Sequence, residues 1–288
     1  MRKILFLVVL VLFSCEKAYI DVVDSDDETP TVTEQEGNLK VSIFQIEQTP
    51  FLDYTRAAVA DVCTRVNFAI YNTAGTRIKQ TNQQLGNAGF GTAYFQLDEG
   101  TYQLVALAHS SNGNPTMTDP TRIRFTNAQG FTDTFLCNDT ITIGAEPQTH
   151  ALTLRRITAL CRFVITDDFP TDVKKLRFYY TGGSGAFNAT TGLGSVNSRQ
   201  DVTFDFISGQ KQFDLYTILH NIQGTIHLKV YALDAADNVL CEKEFDVSLA
   251  QNRITRCEVS LFGGGDGNNI TINIYINTDW DSTNQIEF

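Results

Sequence analysis

The six cysteines carry the widest chemistry in this chain, and the first stands apart from the rest. Cys15 closes Leu12-Phe13-Ser14-Cys15, which has the form of a bacterial lipobox. Arg2 and Lys3 precede an apolar run of ten residues, Ile4 to Phe13. That is too few for a permanent bilayer span, which takes roughly 20. A charged start, a short apolar core and a small residue before the cut make a cleavable export signal. The expected chemistry is lipidation of the Cys15 thiol and cleavage just before it. Three acyl chains on one residue would anchor firmly, since each buried methylene contributes about 0.8 kcal/mol. The alternative is an ordinary secretory signal with an incidental cysteine.

Cys63, Cys137, Cys161, Cys241 and Cys257 follow, none in a CxxC spacing. The four histidines are scattered, so no zinc site is expected. An odd number leaves at least one thiol free or paired between chains. Most lie in strand-like runs, where cysteine serves as a small buried residue. Cys241 and Cys257, in successive strands, are the pair placed for a disulfide.

Other reactive patterns are missing. Gly182-Gly183-Ser184-Gly185 is not a G-x-S-x-G elbow, and the glycine-rich stretch around it, read as a loop, lacks the Gly-Lys-Ser/Thr ending of a phosphate cradle. Asp234, Asp237 and Asn238 could hold calcium, but a hairpin turn accounts for the same residues. Trp280 could stack on a sugar or serve as a packing anchor. No catalytic constellation and no cofactor are expected.

The elements that must position these residues read as strands almost throughout. Val62, Val66, Phe68 and Ile70 fall on one side of a run, Arg65 and Asn67 on the other. Asn72-Thr73-Ala74-Gly75 then signals a turn into a returning strand. Asp98-Glu99-Gly100 reads as a short hairpin connection. The run 150–166 has no glycine or proline and is long enough to leave one sheet and enter another. Ala235-Ala236-Asp237-Asn238 signals another turn. Apolar residues at helical spacing are missing, and turn signals recur about every ten residues, so the expectation is all-β, antiparallel sandwiches.

The chain carries a net charge of -11, and loss of Arg2 and Lys3 makes it -13. Residues 16–37 hold eight acids and one base, contributing -7. Such a chain suits nucleic acid poorly, because that affinity comes from Lys and Arg on phosphates. The acidic stretch reads as a disordered tether. With 288 residues there is room for two domains of ordinary size.

Four stretches carry a family resemblance: "CTRVNFAIYNTAGTRIKQ", "FQLDEGTYQLVALAHSSNGNPTM", "ALTLRRITALCRFVITDDFPTDVKKLRFYYTGGSGAFNATTGLG" and "RITRCEVSLFG". They are similar to the fimbrillin family of the Bacteroidota, which holds the main fimbrial subunits and related anchor subunits. The acidic cluster after Cys15 also resembles the export signals of surface lipoproteins in that group. The resemblance implies two consecutive transthyretin-like antiparallel β-sandwich domains, export as a lipoprotein to the outer membrane, and assembly with other fimbrial subunits. It also implies, for polymerising members, that an Arg-specific protease cuts a loop after the first strand and that the freed groove accepts a strand from the next subunit.

Residues suited to both steps are present. Pro50 and Asp53 suggest a loop, in which Arg56-Ala57 offers a cleavage site; the plainer reading makes Arg56 a surface residue. Gly263, Gly264, Gly265 and Gly267 form a joint. Beyond it Ile270, Ile272, Ile274 and Ile276 alternate with polar residues, the pattern of a strand that can be donated to a neighbouring sheet. That strand could equally fold back on its own domain. The expected organisation is a signal peptide at 1–14, a tether at 15–37, sandwiches at 38–155 and 156–262, and the joint with its strand at 263–288. The expected function is a structural fimbrial subunit acting in adhesion, the alternatives being a membrane-anchored accessory subunit or a monomeric glycan-binding surface lipoprotein. A host protein or glycan is the possible receptor.

Overall fold

A computed structural model describes residues 37–47, 58–126, 131–263 and 273–277. The first half contains β1 (Leu39–Glu47), the short helix α1 (Val59–Val62), β2 (Arg65–Tyr71), β3 (Arg77–Gln84), β4 (Thr92–Phe95), β5 (Gly100–His109), β6 (Ile123–Arg124), β7 (Phe135–Ile143) and β8 (Gln148–Arg156). The second contains β9 (Ala159–Ile165), β10 (Lys175–Asn188), β11 (Leu193–Asp205), β12 (Gln212–Thr217), β13 (Gln223–Leu233), β14 (Val239–Ala250), β15 (Ile254–Val259) and β16 (Asn273–Asn277).

Two β-sandwiches result, and the second repeats the strand plan of the first. The first sheet runs β3-β2-β5-β7-β8-β1-β4 and folds over between β7 and β8, where only two residue pairs join. Leu39, Val41, Phe68, Phe95, Leu104 and Leu154 fill the space between its layers. In the second sandwich β11-β10-β13-β14 faces β12-β9-β15, with β16 on the outer edge of β15. Phe163 meets Phe178 and Phe245 edge-on in that core. Among the described strands, β6 and β16 fall outside the shared plan.

The expected pair of all-β sandwiches is borne out, with four differences in detail. Each sandwich holds one parallel pair, β1/β8 and β9/β15, because the first and last strands of each repeat lie side by side. Asp98-Glu99-Gly100 does not close a hairpin: β4 pairs with β1, and β5 with β2 and β7. The chain crosses there between layers, so that Phe95 and Leu104 reach one core from opposite sides. Most of the glycine-rich stretch is strand, β10 and β11, with only 189–192 turning. Its glycines permit contact: a Cβ at Gly182, whose φ is 93°, would lie 2.3 Å from the Thr225 carbonyl oxygen. The fourth concerns thiols. The described cysteines are free, and the sulfur beside Cys257 is that of Cys161, at 3.9 Å, not Cys241.

The run 150–166 is two strands in two sheets, parted at Ile157 and Thr158. Both turn signals hold. Asn72 Oδ1 accepts from the Ala74 and Thr76 amides, and Asp234 Oδ1 from those of Ala236 and Asn238.

β2 is buried on both faces. Val66, Phe68 and Ile70 point into the first core as expected. Ala69 and Tyr71 enter a third core, shared with Ile123, Ile157, Phe187 and Ile218, that joins the two sandwiches. Asn67 is wholly buried among polar partners. The Ser111 amide donates to His109 Nδ1 at 3.1 Å, which leaves the proton on Nε2 to be donated to Asn67 Oδ1 at 2.8 Å. Asn67 Nδ2 donates onward to Asn82 and Asn114.

Burial first, and Arg65 second, push the His109 pKa from 6.5 down to about 4. The neutral ring is favoured only in the folded state, so stability is complete above pH 6.5 and falls as pH drops toward 4. The loss is expected to reach about 3 kcal/mol, at about 1.4 kcal/mol per pKa unit. Urea titrations at stepped pH should show this slope in the wild type and a flatter one in His109→Gln. Equal slopes would remove His109 as the cause.

The junction between the sandwiches is pinned by Arg156. Its guanidinium donates from Nε and Nη2 to both Asp133 oxygens, at 2.7 and 2.9 Å, and from Nη1 to Asn252 Oδ1 at 3.1 Å. It also lies 4.7 Å from the Phe135 ring centroid. Asp133 and Phe135 belong to the first repeat and Asn252 to the second, so one buried side chain ties both.

Candidate assembly interface

β1 is the middle strand of its layer. It pairs in parallel with β8 and antiparallel with β4. Leu39, Val41 and Ile46 are buried almost completely. Asn38 extends the match beyond the strand, with Nδ2 donating to the Leu97 carbonyl and Oδ1 accepting from the Leu97 amide. Gly37 lies flush against β4, where a Cβ would sit 2.5 Å from the Phe95 carbonyl oxygen. A bulge at Phe44 breaks the register and turns that ring outward, 60 % exposed.

Residues 48–57 lie outside the described residues, and Arg56 and Ala57 with them. Cys15, Ile270, Ile272 and Trp280 also lie outside.

Ile274 and Ile276 lie on β16, which pairs antiparallel with β15 of its own chain. The register sets Ile274 opposite Cys257 and Ile276 opposite Thr255, both buried. The strand is attached along one edge only, among the described residues. Asp167 marks where its tether begins, a role missed in the sequence. Its carboxylate accepts from the Leu261 and Phe262 amides and from Ser260 Oγ. Burial, the largest single influence, would raise its pKa, but the Leu261, Phe262 and Asp167 amides and the Ser260 hydroxyl together outweigh it and hold the carboxyl below its usual range. The chain is thus fastened up to Phe262, immediately before the glycine joint. The sole signal was Thr166-Asp167-Asp168 following a strand, which reads as any turn.

A family model for the fimbrillin-A associated anchor proteins Mfa1 and Mfa2 matches residues 26–286. The chain belongs to this family. Its role is that of a structural component of a cell-surface fimbria, subunit or anchor. Among solved structures, a proposed polysaccharide-binding protein from Bacteroides thetaiotaomicron is similar over 88 % of this chain and 99 % of its own, at 15 % identity and a TM-score of 0.51. The fimbrial anchor protein Mfa2 from Porphyromonas gingivalis is similar over 83 % and 96 %, at 12 % identity and a TM-score of 0.47. At such identities the first likeness concerns the fold alone. No curated protein sequence matches the chain. The Mfa1/Mfa2 family is one of fimbrial structural proteins, in keeping with a site made of strand edges and not of reactive groups.

Proposed function

We propose that this member of the Mfa1/Mfa2 family is the lipid-anchored base of a fimbria, held at the outer membrane through Cys15 and joined to the next subunit by strand exchange. The observation that carries it is the attachment of β16. This strand adds to the edge of a sandwich whose other strands repeat the first, is held along one edge among the described residues, and follows a segment that Asp167 fastens at residues 260–262. A strand so placed can leave while β12, β9 and β15 stay paired. The clamping of β1 on both edges supports a chain that keeps its first strand, as an uncut anchor would.

A second reading is favoured by the position of β1 itself. Its loss after cleavage at Arg56–Ala57 would leave a groove between β4 and β8 lined by apolar side chains, which demands a replacement strand. That chain would be a polymerising subunit. The N-terminal residue of the protein purified from cells separates the two. An acylated peptide starting at Cys15 is expected on mass spectrometry, and Cys15→Ala should release the protein from membranes. A start at Ala57 would establish the polymerising subunit, and unchanged membrane binding of Cys15→Ala would remove the lipid anchor.

A further inference from the structure

A cleft of about 320 Å³ opens where β6 of the first repeat meets β10 and β11 of the second. Ile123 plugs the core between the sandwiches and is fully buried. Its neighbours, Arg122 just before β6 and Arg124 within it, turn the other way. Both are exposed and both line the cleft. Among the described residues neither forms an ion pair, and no acid lines the cleft, in a chain with 33 acids against 22 bases. The carboxylate closest in influence to Arg122, Asp119, is already engaged by the Thr121 amide and hydroxyl.

The opposite wall is a built irregularity. The β10/β11 register shifts between Ser184 and Ala186 and again between Ala186 and Phe187. Buried Ser184 holds this bulge: its hydroxyl donates toward the Ala186 and Val196 carbonyls and accepts from the Val196 amide. Bulges of this kind recur beside binding sites, where they re-aim the chain. Gly185 at its crest has no side chain to fill the cleft, and a Cβ there would meet Ser198 at 2.9 Å. The hydroxyl residues Thr116 and Ser198 complete the rim.

We propose that this cleft binds an acidic saccharide, with its carboxylate between Arg122 and Arg124 and its ring against the Gly185 wall. Guanidinium groups grip carboxylates through paired, charge-assisted hydrogen bonds. The volume lies at the small end of ligand sites, which suits one sugar ring better than a peptide segment. Hydroxyl groups on the rim match ring hydroxyls. The site deepens the adhesive role and rests on it, yet shares no residue with the strands of the assembly interface.

The test titrates the purified full chain with tri-galacturonate, sialyllactose, neutral galactotriose and tetraglutamate, followed by calorimetry. At least one acidic saccharide is expected to bind, with galactotriose and tetraglutamate silent. Arg122→Gln and Arg124→Gln should each weaken binding about tenfold or more, the effect of one charged hydrogen bond. Their melting temperatures should stay unchanged, because both side chains are exposed. Four outcomes overturn the proposal: neither acidic saccharide binds, galactotriose binds equally, tetraglutamate competes equally, or the double variant binds as the wild type does. Incorporation of the double variant into fimbriae reports separately on the assembly role, which these substitutions leave intact.

Discussion

Arg156→Ala is expected to destabilise the protein by about 3–5 kcal/mol, the cost of stranding one partner of a buried ion pair. The side chain of Arg156 is 3 % exposed and that of Asp133 is 21 % exposed, so the charge left on Asp133 would be poorly hydrated. The loss also breaks the bond to Asn252 and uncovers the Phe135 ring, at a point where one side chain touches both repeats. For a protein of this size the melting temperature should drop on the order of 10 °C. Asp133→Ala should cost a similar amount. The pair Arg156→Met with Asp133→Leu should cost much less than the two alanine changes added together, because no charge is left stranded. Urea denaturation of all four proteins gives the answer. A loss below about 1 kcal/mol for Arg156→Ala would rank this contact with ordinary surface pairs.

Removing the C-terminal strand should abolish joining to the next subunit while leaving the fold intact. The contrast with β1 sets the expectation. Burying Leu39, Val41 and Ile46 contributes roughly 1.5–3 kcal/mol each. Together that is comparable to the whole stability of a domain, about 5–15 kcal/mol. Val41→Asp should therefore unfold the first sandwich. A chain ending at Gly263 loses, among the described residues, the edge strand β16 alone and keeps β12, β9 and β15 paired. Ile274→Asp should act likewise, with a folded monomer and no joined subunits. Thermal melting of the monomers and the yield of subunit complexes provide the two readouts. If Ile274→Asp unfolds the isolated monomer, β16 is part of its own domain and strand donation by this segment is wrong.

Much of this was legible in the sequence, for local reasons. Asn72 and Asp234 lie at the mouths of turns, where a side-chain oxygen can take the amides two and four residues on, so both hairpins announced themselves. Alternation marked β2 and the β16 segment as strands. The glycines of β10 misled, because glycine signals a loop and a close backbone approach with the same residue. Asp98-Glu99-Gly100 misled because three residues can close a hairpin or cross a core. Arg122 and Arg124 drew no notice, since a pair of basic residues at a strand's exposed side is ordinary until a second wall stands opposite.

What the sequence determined by itself is the alphabet of the fold: strands in place of helices, their approximate limits, two repeats and the family. Only the tertiary structure decided which edges meet and what covers each face. A period of two states that a strand has two different faces and leaves open what lies against either. Asn67 looked like a solvent-facing residue in that pattern. It is buried because His109, Asn82 and Asn114, brought in from other strands and loops of the first repeat, close around it and supply its hydrogen bonds. The parallel pairing of β1 with β8 joins Glu47 to Arg155, 108 residues away. Contacts at that range are set by how two layers close over one core, and no local propensity encodes them.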